Sequence, residues 1–121
     1  NRVADDIPLQ QVEGAQSGNV LVLSWGGTYG AVRTAVENLV TAGQAVGLAH
    51  LRYLNPMPRN LPEILQRFKK ILIPELNLGQ LEFLIRARYG VATVGYHKVS
   101  GQPFKIRELT AAIEKLLKGT S

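Results

Sequence analysis

The sequence contains no cysteine, which excludes disulfide bonds, thiolate metal sites and thiol nucleophiles within this chain. It also lacks a long apolar run: the longest, Val20 to Leu23, is far shorter than the roughly 20 residues of a membrane-spanning helix. Nothing near its beginning resembles a signal peptide. Aromatic residues are only 7% of the chain, and the Gly-Phe motifs of RNA-binding modules are missing. These absences disfavour thiol chemistry, a membrane span and nucleic-acid binding.

The composition is that of a packed, soluble domain. The 121 residues are 45% hydrophobic and 19% charged, which suits one domain with one hydrophobic core. The net charge of +5 is unevenly divided, with −2 on residues 1–45 and +7 on residues 46–121. A basic half of this kind favours an acidic partner or phosphate groups.

The first 18 residues differ from the rest. They are polar, contain Pro8, Gly14 and Gly18, and show little hydrophobic periodicity. We interpret residues 1–18 as a linker from an upstream domain that is not present here, and residues 19–121 as the folded domain.

The first half of that domain alternates between strand and helix patterns. Strands are predicted at Val20–Ser24 and Val46–Leu51, because both are short, mainly apolar runs near glycine or polar residues. A helix capped by Thr28 is predicted between them, ending near Ala42. Asn60, with Glu63 in a capping box, is predicted to begin a second helix. Its core stripe is Leu61, Ile64, Leu65 and Phe68, and Lys69 and Lys70 are expected to end it.

The second half repeats the alternation. Strands are predicted at Ile71–Ile73 and Val91–Tyr96. The third helix begins at Asn77 with a capping box to Gln80 and ends at Gly90. The expected core residues are Leu78, Leu81, Leu84 and Ile85 in the third helix, and Ile106, Leu109, Ile113, Leu116 and Leu117 in a terminal helix stopped by Gly119.

Repeated strand–helix units predict an α/β fold, a three-layer sandwich with a mostly parallel sheet. The strand-to-helix loops of such a sheet meet at its carboxyl edge, where α/β folds bind ligands and partners. The first loop contains Gly26, Gly27 and Gly30 but not the glycine spacing of a dinucleotide or phosphate loop. We therefore assign Gly26 and Gly30 to tight turning and close helix packing, where a Cβ is expected to clash.

Catalytic and metal-binding candidates at this edge are few. Ser24, His50, His97 and Glu75 lie near it, but no nucleophile-elbow motif surrounds Ser24 and two histidines make a weak zinc site. Glu75 is better explained as a helix cap. We predict no catalytic, cofactor-binding or metal-binding residue in this chain.

The same edge is predicted to be a docking surface. Prolines stiffen the second loop, and a stiff loop loses little entropy on binding. A plain rigid connection is the alternative interpretation of that loop. Phe104 is expected to fold onto the core. The interface residues are expected to be Trp25, Tyr29, Pro56, Met57, Pro58 and Gln102.

Four segments of the chain carry a family pattern. They are Ser-Trp-Gly-Gly-Thr-Tyr-Gly at 24–30, Leu-Arg-Tyr-Leu-Asn-Pro-Met-Pro at 51–58, Pro-Glu-Leu-Asn-Leu-Gly-Gln-Leu at 74–81 and Gly-Gln-Pro-Phe at 101–104. Together they resemble the 2-oxoacid:ferredoxin oxidoreductase family, and within it the C-terminal domain of the α subunit of the 2-oxoglutarate:ferredoxin oxidoreductases. The resemblance covers almost all of residues 19–117; the loop Ser24–Gly30 departs from the family at Gly27, where serine is common.

The resemblance implies a fold like the transketolase C-terminal domain. It also implies a parent reaction, the oxidative decarboxylation of a 2-oxoacid with coenzyme A and ferredoxin, in a cytoplasmic enzyme. Thiamine diphosphate, Mg and an Fe-S cluster are then expected in other domains and subunits, which agrees with the missing cysteines. The expected partners are the remainder of the α subunit, the thiamine-diphosphate-binding β subunit and ferredoxin. The alternative is a module that binds the phosphates of coenzyme A.

Overall fold

A five-stranded sheet forms the middle layer of the computed structural model, which describes residues 9–26, 29–52, 57–76, 80–98 and 103–118. The strand order is β1-β3-β2-β4-β5, and every neighbouring pair is parallel except β1 with β3. The strands are β1 (Glu13–Gly14), β2 (Gly18–Trp25), β3 (Val46–Leu51), β4 (Phe68–Leu76) and β5 (Val94–Lys98). The helices are α1 (Tyr29–Thr41), α2 (Leu61–Gln66), α3 (Gln80–Tyr89) and α4 (Ile106–Leu117).

Two hydrophobic layers hold the helices to the sheet. In β2, Val20 and Val22 face α1 and α4, whereas Leu21 and Leu23 face α2 and α3. Successive side chains of a strand point to opposite faces, so one strand supplies both layers. The expected three-layer sandwich with a mostly parallel sheet is confirmed. None of the described helices is long and apolar enough to cross a membrane.

Gly47, the second residue of β3, marks a close approach of the chain that has no local signal in the sequence. A Cβ at this position would lie 2.5 Å from the carbonyl oxygen of Ala15 and 2.6 Å from the Phe68 ring. The segment after β1 and the first residue of β4 therefore pack directly on the backbone of β3, which requires glycine.

The boundary between α2 and β4 differs from the prediction. The helix ends at Gln66, and Phe68, Lys69 and Lys70 belong to the strand. The predictions that Phe68 continues the helical stripe and that the two lysines end the helix are therefore wrong. The reason is pairing with β2, because Gly18 lies opposite Phe68 and Val20 opposite Lys70. Phe68 is nevertheless buried, as expected.

Three further expectations for helices are wrong. Asn60 makes no side-chain cap to α2, because its amide binds another part of the chain, described below. Leu84 on α3 and Ile106, the first residue of α4, are exposed rather than in the core. Thr28, Asn77, Leu78 and Gly119, which the sequence pattern assigns to caps, core or helix ends, lie outside the described residues.

The first loop shows which glycine is needed for the turn. Gly26 has φ +70°, a conformation that L residues with a Cβ rarely adopt. Gly30 lies within α1, and its φ is outside that left-handed range. A Cβ at either position would meet no atom of the described residues within 4 Å. Among these residues the expected clash is therefore wrong at both positions, whereas the left-handed φ of Gly26 agrees with its assignment to a tight turn.

Candidate functional site at the carboxyl edge

The strands β2, β3, β4 and β5 run in parallel, so their carboxyl ends lie along one edge of the sheet. A cavity of about 710 Å³ opens there beside β3. We call it the edge cavity. Its described lining residues are Leu9, Gln10, Gln11, Glu13, Tyr29, His50, Arg52 and Pro58.

His50 is held in the wall of the edge cavity by contacts from two directions. The buried Ser24 hydroxyl lies 2.8 Å from its Nδ1 atom, and the Tyr29 ring packs with its centroid 4.7 Å from the imidazole centroid. Burial and then the nearby Arg52 guanidinium lower the pKa of His50, opposed by the Glu13 carboxylate. The Ser24 hydroxyl donates this hydrogen bond when the neutral imidazole carries its proton on Nε2, and accepts it when the proton is on Nδ1. His50 is thus a hydrogen-bond donor or acceptor rather than a cation near neutral pH.

Glu13 is the acidic group of the edge cavity, and its charge is compensated. The Tyr29 hydroxyl donates a hydrogen bond of 2.7 Å to Glu13 Oε2, and Arg33 Nε lies 3.4 Å from Oε1. The hydrogen bond to Glu13, followed by burial, raises the pKa of Tyr29. Tyr29 therefore stays protonated and ties the first turn of α1 to β1.

A strap formed by residues 9–14 crosses this edge and was not predicted. Gln10 donates its backbone N–H to Asn60 Oδ1 at 2.8 Å, and Asn60 Nδ2 donates to the Gln10 carbonyl oxygen at 2.9 Å. The Gln10 side chain also donates to the His50 carbonyl oxygen at 3.0 Å. A two-residue strand carries no periodic signal, so these long-range contacts were not visible in the sequence. The assignment of residues 1–18 to a linker stays a prediction.

Glu75, at the end of β4, is used as a helix cap. Its carboxylate accepts hydrogen bonds from the backbone N–H groups of Leu81, at 2.6 Å, and Glu82, at 3.0 Å. The Trp25 indole N–H donates to the same carboxylate at 3.2 Å. The predicted capping role of Glu75 is therefore confirmed. His97 lies opposite Glu75 in the register of β5.

The structure separates the predicted interface residues. Trp25 and Tyr29 are half-buried at the carboxyl edge. Met57 is only 4% exposed, because it packs among the core residues beneath α2, with its sulfur 3.7 Å from the Tyr89 hydroxyl. The expectation that Met57 is an exposed anchor is wrong. Pro58 is buried and lines the edge cavity, and Pro56 and Gln102 lie outside the described residues.

Phe104 is buried and packs against Tyr96, with 5.2 Å between ring centroids, so its expected core position is confirmed.

Among the residues described, no group of three or more His, Asp or Glu side chains is placed to hold a metal ion. The Tyr29 hydroxyl and the Gln10 side-chain N–H groups already donate within the chain. The described part of this edge therefore offers a ligand chiefly the His50 imidazole and the positive charge of Arg52.

This fold is that of a transketolase-like α/β domain. A split-gene transketolase, solved as an inactive β4 tetramer, superposes with a TM-score of 0.65 at 19% identity and matches 93% of this chain and 44% of that one. The chain belongs to the family described as pyruvate:ferredoxin oxidoreductase core domain II, whose model matches residues 18–109.

Similar proteins narrow the relationship and confirm the resemblance seen in the motifs. The 2-oxoglutarate oxidoreductase subunit KorA of Mycobacterium tuberculosis is 42% identical over 100 residues, 83% of this chain and 15% of that protein. The α subunit of 2-oxoacid:ferredoxin oxidoreductase 2 of Aeropyrum pernix is 30% identical over 109 residues, 88% of this chain and 17% of that one. The chain thus spans about a sixth of the length of these curated relatives.

A solved structure agrees in detail with the whole domain. It is the 2-oxoglutarate:ferredoxin oxidoreductase from Magnetococcus marinus, described with 2-oxoglutarate, coenzyme A and succinyl-CoA bound. The superposition has a TM-score of 0.91 at 30% identity and covers 97% of this chain and 21% of that one. The chain therefore corresponds to a domain of the α subunit of a 2-oxoacid:ferredoxin oxidoreductase.

Proposed function

We propose that this chain is a noncatalytic assembly and positioning domain of a thiamine-diphosphate-dependent 2-oxoacid:ferredoxin oxidoreductase α subunit. The parent reaction would convert 2-oxoglutarate, coenzyme A and oxidised ferredoxin to succinyl-CoA, CO2 and reduced ferredoxin, in the cytoplasm. The similarity to KorA and to the Magnetococcus marinus enzyme favours 2-oxoglutarate among the 2-oxoacids.

The observation behind this proposal is that polar side chains at the carboxyl edge bind other groups of the domain itself. Glu75 is buried and binds two N–H groups of α3 and the Trp25 indole. Ser24 is buried against His50. Groups that a catalytic edge would present to a substrate are here engaged in holding the domain together.

The proposal assigns the cofactors and partners to the rest of the enzyme. Thiamine diphosphate with Mg, and the Fe-S cluster, would be bound by other domains and by the β subunit. Because this chain has no cysteine, an Fe-S cluster would find no thiolate ligand in it. We propose that Trp25 and Tyr29, which are half-buried at the carboxyl edge, contact the remainder of the α subunit or the β subunit.

Deleting the domain from the full-length α subunit tests the proposal. We expect a subunit without residues 18–118 to lose most of its association with the β subunit in co-purification, and the complex to lose 2-oxoglutarate oxidation for that reason. The isolated domain is expected to show no saturable thiamine diphosphate binding by calorimetry. An intact complex after the deletion, or micromolar thiamine diphosphate binding by the domain, would overturn the proposal.

The alternative function, binding of coenzyme A phosphates, is supported by one observation. Arg52 lines the edge cavity, close enough to His50 to lower its pKa. Glu13 lies in the same wall and disfavours an anion there. Calorimetric titration of the assembled enzyme with coenzyme A, with and without Arg52→Gln, tests the alternative: an unchanged affinity would exclude Arg52 from the binding site.

A further inference from the structure

The outer half of the strap, residues 9–12, is held to the domain differently from the inner half. The inner half is β1 itself, which pairs with β3 in the sheet. The outer half has no regular secondary structure. Among the described residues, three hydrogen bonds join Gln10 to other elements: two from the Asn60 amide and one from the Gln10 side chain to the His50 carbonyl oxygen. The outer half is therefore fixed through side chains rather than by pairing of the backbone.

Few apolar contacts add to these hydrogen bonds. Leu9 is 51% exposed and Gln11 is also exposed, so the main apolar contact of the outer half is made by Val12, which is half-buried against the layer beneath α2 and α3. Partly exposed hydrogen bonds compete with water, and each contributes little stability. Ordering a few residues costs conformational entropy of a similar size. The outer half can therefore detach while the sheet and both core layers stay folded.

The outer half is also part of the wall of the edge cavity. Residues 9–11 line the cavity together with His50, Arg52 and Pro58, among others. When the outer half detaches, the cavity loses this part of its wall and becomes an open cleft at the carboxyl end of β3. The His50 carbonyl oxygen then loses the Gln10 amide as its donor, and water or a ligand must supply another.

We propose that residues 9–12 are a gate over the edge cavity, closed while the Asn60 amide holds the backbone of Gln10 and open when Gln10 leaves it. The pairing of β1 with β3 stays intact in both states, so the movement is confined to the outer half of the strap. The open state presents the His50 imidazole, the His50 carbonyl oxygen and the Arg52 guanidinium to molecules that the closed cavity does not admit. The inference does not depend on the assembly function proposed above.

Hydrogen exchange in the full-length α subunit, measured at residue resolution by mass spectrometry, tests whether the gate opens by itself. The Gln10 amide should exchange at least about tenfold faster than the amide of Val22 in the central strand, because local opening costs less than global unfolding. Exchange of Gln10 as slow as that of Val22 would show that the strap opens only with the whole domain. That result would overturn the proposal without the use of any variant.

Labelling of His50 with diethyl pyrocarbonate tests whether the strap controls access to the cavity. Asn60→Ala removes both hydrogen bonds to the Gln10 backbone, so we expect His50 to be labelled several-fold faster relative to His97, which lies on β5 at the far edge of the sheet. Asn38→Ala, at an exposed asparagine of α1, is the matched control and should leave this ratio unchanged. An unchanged ratio in Asn60→Ala would show that the strap is a fixed wall and not a gate.

Exchange in the same variant separates opening of the gate from a loss of overall stability. In Asn60→Ala the Gln10 amide should exchange faster while the Val22 amide keeps a rate close to that of the wild type. Equal acceleration at Gln10 and Val22 would mean that Asn60 stabilises the whole domain, and the proposal would fail. If Asn60→Ala does not fold, the comparison of Gln10 with Val22 in the wild type decides.

Discussion

At the scale of single residues, Gly26 is the position in the first loop where backbone geometry decides the residue. Its φ of +70° costs a residue with a Cβ about 1–2 kcal/mol. We expect Gly26→Ala to lower the free energy of unfolding by about this amount. Gly30→Ala is the control, and should be neutral or slightly stabilising because alanine favours the helix. Urea unfolding of both variants checks this, and equal stabilities would contradict it.

Gly47 depends on space rather than on φ. A Cβ there would overlap the Ala15 carbonyl oxygen and the Phe68 ring, so we expect Gly47→Ala to destabilise the domain by about 1–3 kcal/mol. Adding Phe68→Leu to Gly47→Ala should recover part of this lost stability, because leucine leaves more room for the new Cβ than the phenylalanine ring does. The recovery should be partial because the Ala15 carbonyl oxygen remains in place. This account would be contradicted if the double variant lost as much free energy of unfolding as the two single variants together.

His50 makes stability depend on pH. Because its pKa is lowered in the folded state, the unfolded state takes up the proton first as the pH falls. Above the ordinary pKa of about 6.5 both states are neutral and His50 contributes nothing to the dependence; below it, stability decreases. We expect the thermal midpoint of His50→Gln to fall less steeply between about pH 7 and 5. His97→Gln, which removes the chain's other histidine, is the comparison; the wild-type slope in His50→Gln would exclude this role.

At the scale of elements, Glu75 joins the end of β4 to the start of α3. Replacing it with glutamine keeps one acceptor oxygen but removes the charge that favours a helix N-terminus. We expect Glu75→Gln to cost about 1–2 kcal/mol and to speed hydrogen exchange in the first turn of α3. Glu63→Gln on the exposed side of α2 should cost about 0.5 kcal/mol or less. Similar costs for the two variants would contradict the capping account.

The sequence predicts whether a segment is a helix or a strand where the signal is a local pattern of residues. Among the described residues, the alternation of apolar runs and helical stripes correctly predicted that four parallel strands and four helices are present, although β5 covers Val94–Lys98 rather than Val91–Tyr96. The prediction failed at Phe68–Lys70 because these residue types suit either the end of a helix or a strand. Pairing with Gly18 and Val20 of β2 makes this segment a strand. Asn60 and Gln10 bind across fifty residues of sequence, so the strap could not be seen locally. Met57 looked like an exposed loop residue because its burial depends on α3.

At the scale of the whole molecule, the two core layers share their central strand and should unfold together. Leu109→Ala acts on the layer beneath α4 and Leu61→Ala on the layer beneath α2. We expect each to cost about 2–5 kcal/mol and to shift one common transition. Fluorescence of Trp25, the single tryptophan, reports the second layer and far-ultraviolet circular dichroism reports both. Separate transitions in the two signals would show that the layers are independent.

The strand order also has a consequence for folding during synthesis. Among the parallel strands, the central β2 leaves the ribosome first, β3 then adds to one side of it, β4 to the other side, and β5 to the free side of β4. The short β1, made before all of them, joins β3 from outside. No strand must be inserted between two that are already paired. The nascent sheet can therefore grow outward in the order of translation, without breaking hydrogen bonds that it has formed.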